Sequence, residues 1–220
     1  MVHEPGTGKT ETRRLLYSDR VVKKDGLPPA SATYLQDHRP PIAEFGHYWA
    51  LTGWHNRKPG DRLFVRENFS GPWSLRAEKP SEWRVRGMTP ELWYWADGDP
   101  TDGDWTKPKP SIHLPRWGSR LTLIITDVWI ERLQDITEGG AWQEGIDCIP
   151  RSLTRHGRLD GYGLAGITSP NDAHTTRVNA YRALWGSLHG SESWKLNPWI
   201  VAVRFKPILA NVDSQEAKAA

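Results

Sequence analysis

The chain has 220 residues, enough for one hydrophobic core and marginal for two. Hydrophobic residues make up 37% and charged residues 25%, which argues against general disorder, and no stretch reaches the roughly 18 apolar residues that cross a bilayer. A net charge of +3 is too small to argue for a polyanionic partner by itself, so where the charge lies matters more than its sum. Thr10–Tyr17 reads as a short helix or a turn whose arginines line a site. Pro28-Pro29 and Pro40-Pro41 bracket an irregular stretch. Lys58-Pro59-Gly60-Asp61 is a turn signal, and Arg62–Glu67 alternates as a half-buried strand does. Residues 74–110 are rich in Pro, Gly, Asp and Trp and read as a long insertion, strand-like only at Trp93–Trp95. Arg120–Ile130 is long and β-branched, the clearest strand. Asp135-Ile136-Thr137-Glu138 resembles a helix cap and opens a short helix through Glu144, stopped by Gly145. Residues 148–175 form a second, polar insertion. Val178, Tyr181, Leu184 and Trp185 fall at helical spacing within Arg177–Leu188, Pro198–Phe205 reads as a closing strand, and residues 208–220 as a disordered tail. The expected class is α+β and barrel-like, a single domain over residues 1–207.

Cationic residues gather at Lys9, Arg13, Arg14 and Arg20, and again at Arg151, Arg155 and Arg158. Thirteen tryptophans divide between core positions and walls on which a flat ligand stacks. The single cysteine, Cys148, excludes an internal disulfide and a cysteine-rich zinc site, and it reads as structural. The eight histidines show no ligand spacing, so no metal or other cofactor is expected. Met1–Pro5 lacks the apolar core of a secretory signal, so a cytoplasmic location without membrane association is expected. Gly6-Thr7-Gly8-Lys9-Thr10 imitates a phosphate-binding loop, but the glycine that should stand five residues before the Gly-Lys pair is His3.

Lys9-Thr10-Glu11-Thr12-Arg13-Arg14 resembles the signature of the ASCH family, in which a glycine-bearing turn precedes a lysine with an arginine five residues later. Pro59–Glu67, Pro110–Trp117, Arg132–Thr137 and Asn197-Pro198-Trp199 are similar to the phage- and prophage-borne branch of that family. The resemblance implies a PUA-like β-barrel with a few flanking helices, here carrying the two insertions. It also implies a metal-free amidohydrolase that removes acyl groups from N4-acylated cytosine nucleosides or bases. By the same resemblance Lys9, Thr12 and Glu144 form the catalytic set, and Arg14 is the signature arginine.

Amide hydrolysis needs a nucleophile, a base to take its proton and a donor for the leaving amine. The Thr12 hydroxyl can be the nucleophile if a base sits beside it, Lys9 can be that base, and Glu144 can hold the lysine, position water or protonate the nitrogen. Glu67, His113, Arg116 and Trp117 are candidates for lining the same cleft. Two other functions use the same residues. A nucleic-acid or modified-base binding module would hold RNA or DNA in the cationic cleft without turnover, and a ribonuclease would cleave the phosphodiester.

Overall fold

A computed structural model describes residues 8–16, 53–84, 88–149, 161–164 and 173–219. The Pro28–Pro41 stretch, Arg20, and Arg151, Arg155 and Arg158 lie outside the described residues. The architecture is mixed α+β. The described strands are β1 (Glu11–Leu15), β2 (Arg62–Phe64), β3 (Phe69–Ser70), β4 (Trp93–Tyr94), β5 (Thr122–Arg132), β6 (Ile146–Ile149), β7 (Gly161–Leu164) and β8 (Trp199–Ile208). Three α-helices accompany them among the described residues: α1 (Glu138–Gln143), α2 (Arg177–His189) and α3 (Gln215–Ala219). The largest sheet has the strand order β1-β8-β5-β2. No helix among the described residues is long and apolar enough to cross a membrane. The chain divides into two compact units, one holding residues 60–125 and 206–220 and the other residues 8–59 and 126–205.

In the second unit β1 pairs antiparallel with β8, Glu11 opposite Arg204 and Leu15 opposite Ile200. Glu11–Leu15 is therefore a strand, where its sequence reads as a helix or turn. A helix of eight residues is marginal by itself, whereas β8 offers a complete set of backbone partners. Phe205 N–H donates to the Thr10 carbonyl and Leu16 N–H to that of Trp199. Ile200–Val203 of β8 are fully buried. Thr137 caps α1 by accepting from Gly140 N–H, and the helix ends at Gly145, whose φ is +96°. Thr176 caps α2 in the same way, through Asn179 N–H, and α2 sends Ala180, Tyr181 and Trp185 into a core with Leu133, Ile136, Ala141 and Ile146. Part of the expected second insertion is a hairpin: β6 pairs with β7, Ile146 opposite Leu164, and Cys148 is exposed on it.

In the first unit β2 pairs with the start of β5, and β3 pairs with β4. Phe69, Trp83 and Leu114 form its buried core, with Leu75, Leu92, Tyr94 and Trp117 against them. The expected disordered tail is instead structured. Thr122 Oγ1 donates to the Ala210 carbonyl at 2.8 Å, and the Asn211 side-chain amide donates to the carbonyls of Arg116, Trp117 and Ser119. Val212 and Ala217 are buried, the latter on α3.

Candidate functional site

Strand alternation explains why charged residues occupy β1. Side chains two apart share a face, so Glu11 and Arg13 project together and Thr12 projects oppositely. Arg13 is nearly fully buried, and burying a guanidinium is costly unless anions and hydrogen bonds surround it. Three carboxylates supply them. Arg13 Nε donates to Glu131 Oε1 at 2.8 Å, Nη1 lies 3.5 Å from Glu144 Oε1, and Nη2 lies 2.7 Å from Glu11 Oε1. The last is a charge contact whose N–H does not point along it, and Glu11 Oε1 consequently has no hydrogen bond. Burial pulls the Arg13 pKa down, but Glu11, Glu131 and Glu144 outweigh it and hold the group above its ordinary value. Gly140 makes room for this arrangement, since a Cβ there would stand 2.8 Å from Arg13 Nη2.

Glu144 sits at the C-cap of α1, buried, and its second oxygen accepts from Lys9 Nζ at 2.6 Å. Lys9 is the partner that reaches solvent, with 42% of its side chain exposed against 2% for Glu144. Thr10 N–H donates to the Gln143 carbonyl at 2.8 Å, fixing the approach of the lysine segment to α1. Tyr181 OH lies 3.4 Å from Glu144 Oε1, and burial and that negative charge raise its pKa well above the usual phenol value. Arg204, lying over the Trp129 ring at 5.1 Å, contacts Glu11 Oε2 at 3.1 Å. The assembly thus balances Lys9, Arg13 and Arg204 against Glu11, Glu131 and Glu144.

Of the candidates, Lys9 and Glu144 are brought together. The Thr12 hydroxyl is buried and makes no hydrogen bond, to Lys9 or to any other described group. Arg14 is exposed with its guanidinium 5.7 Å from the Trp54 ring centre. The remaining four belong to the first unit. Glu67 accepts two hydrogen bonds from Arg120, which also grips Asp97. Arg116 forms a two-pronged pair with Asp213 and lies over the Phe64 ring. Trp117 packs on the Phe69–Trp83–Leu114 core, and His113 lines a pocket with Trp73 and several lysines. Arg13 falls within the arginine-bearing segment Thr10–Tyr17 expected to line a site, whereas nothing in the sequence points to Glu131 or Tyr181, and the alternation of Glu11 with Arg13 is the available signal for Glu11. Among the described residues no group of three or more His, Cys, Asp or Glu side chains is arranged to hold a metal ion. Comparison with protein-family models, with curated proteins and with solved structures finds no match.

Proposed function

We propose that this chain is an ASCH-type domain of PUA-like barrel fold that removes acyl groups from N4-acylated cytosine nucleosides or bases, with Lys9 and Glu144 as its proton-handling pair. One observation carries the reading: Lys9 and Glu144, which are 135 residues apart, meet at 2.6 Å, the lysine facing solvent and the glutamate held from behind. Hydrolysis adds water across the acyl carbon–N4 bond. Glu144 takes the proton of the attacking water, Lys9 donates one to N4 as the bond breaks, and a proton passing from Glu144 to Lys9 resets the pair. Arg13 and Tyr181 fix the carboxylate. Because the Thr12 side chain projects from the opposite face of β1 to Arg13, attack by water is favoured over attack by the threonine.

A second reading, a binding module for a modified base without turnover, is favoured by that same threonine, whose hydroxyl no base contacts. Incubation with a panel of N4-acylated cytidines, followed by chromatography, tests both. Free cytidine should appear, and Lys9→Ala and Glu144→Gln should each abolish its release while Thr12→Val retains it. Loss of turnover in Thr12→Val would return the nucleophilic role to the threonine. Nucleoside binding with no cytidine released from any member of the panel would overturn the hydrolase in favour of the binding module.

A further inference from the structure

The insertion at 74–110 reads in sequence as irregular chain, yet its two ends are firmly held. Trp83 is buried edge-on against Phe69, ring centres 5.8 Å apart, and its indole N–H is shared between the Leu75 and Glu78 carbonyls at 3.1 Å each. That single side chain pins the turn carrying Arg76 and Lys79. Gly71 permits the packing, because a Cβ there would stand 2.2 Å from the Trp83 ring. On the opposite wall Thr106 exchanges hydrogen bonds with Gly71, and Lys109 pairs through its backbone with Phe69. The two walls enclose a pocket of about 840 Å³, toward the large end of the roughly 300–1,000 Å³ typical of ligand sites.

Its lining is unusual in chemistry. Trp73 presents 44% of its surface, with the Arg76 guanidinium 5.0 Å from its ring centre. Lys79 and Lys107 are exposed, and Lys109 Nζ lies 5.4 Å from the Trp83 ring. None of these four cations forms an ion pair among the described residues, and Glu78 is the single carboxylate in the lining. Four unpaired cations against one carboxylate, on two chain segments, suit a run of negative charges better than one, and an exposed indole among them supplies a stacking face. We infer that this pocket is a binding site for single-stranded nucleic acid, with Trp73 stacking on an unpaired base and Arg76, Lys79, Lys107 and Lys109 holding backbone phosphates. It shares no residue with the Lys9–Glu144 site and does not depend on the reaction assigned there. A duplex would not serve, since its base faces are already stacked.

The test is fluorescence anisotropy of a labelled single-stranded 12-mer with the full chain across a salt series. Trp73→Ala should weaken binding roughly 5- to 150-fold, with Trp73→Phe retaining most of the affinity. Lys79→Gln combined with Lys107→Gln should lower the slope of log K against log salt by about 1.4, from about 0.7 per phosphate contact. Lys9→Ala should leave the affinity unchanged, which separates this site from the proposed catalytic pair. The inference is overturned if the unaltered chain does not bind the 12-mer at low salt, or if these pocket variants bind it as the unaltered chain does. Equal binding of the duplex or of polyglutamate overturns it as well, as does displacement by cytidine monophosphate at matched phosphate concentration.

Discussion

Lys9, Arg13 and Arg204 in one unit and Arg76, Lys79, Lys107 and Lys109 in the other are clusters of similar cationic content with opposite treatment. The first group is matched carboxylate for cation, and Arg13 among them is almost withdrawn from water. The second lies around an open pocket with one glutamate in its lining. A buried cation must be neutralised where it stands, because its lost hydration is not recovered otherwise, whereas a surface cation remains hydrated and available to an outside anion. Position in the fold, rather than number of charges, decides which cluster holds the protein together and which is left to bind. Within the first cluster Lys9 is intermediate: it is paired but reaches solvent, which is what an exchangeable proton needs.

Substitution breaks this comparison most sharply at Arg13. Arg13→Met leaves Glu11 and Glu144 buried without their shared cation and should cost about 3–5 kcal/mol in denaturant-induced unfolding. Next in size is Gly71→Ala in the other unit. The new methyl would overlap Trp83, and about 1–3 kcal/mol of stability should be lost through packing alone, with no dependence on salt. Tyr181→Phe should cost about 1 kcal/mol or less at neutral pH, since the contact it removes is long. Its clearer signature lies at high pH. The folded phenol titrates above its unfolded value, so its contribution is fully present below about pH 10 and is lost as pH rises further. Unfolding midpoints measured between pH 9 and 11 should therefore fall less steeply in Tyr181→Phe. The smallest effect is expected for Lys107→Gln, within about 0.5 kcal/mol, because no described carboxylate relies on that lysine. A large loss there would erase the distinction between the two clusters.

What the sequence conveyed followed periodicity and capping. Thr137 announces α1, and the apolar spacing of Tyr181 and Trp185 identifies the face that α2 buries. The strand at Thr122–Arg132 is visible in its β-branched run. β1 escaped because its residues look solvated: Glu-Thr-Arg-Arg has no apolar alternation, and only ion pairing to distant residues, Glu11 to Arg204 and Arg13 to Glu131 and Glu144, makes the two interior. The chain end escaped for a related reason. Its anchor is the Asn211 amide bonding three carbonyls, an interaction that hydropathy does not register. Within the site, Lys9 and Glu144 are legible through a resemblance rather than through spacing, and Arg13 only as one arginine of a basic segment. His113, close in sequence to Trp117 and expected to line the Lys9 cleft, lines the pocket of the other unit instead.

The pairing of Glu11 with Arg204 has a consequence for how the protein comes into being. These residues are 193 positions apart, and at synthesis rates of about 5–20 residues per second the first must wait on the order of ten seconds or longer for the second to be made. Until then β1 has no neighbour on its β8 edge, and its charged side chains remain hydrated in the nascent chain. The strand's own polarity is a safeguard during that interval, since an apolar segment left open so long would invite association with other chains. The ion-pair network can therefore close only as a late step of folding, once β8 has emerged.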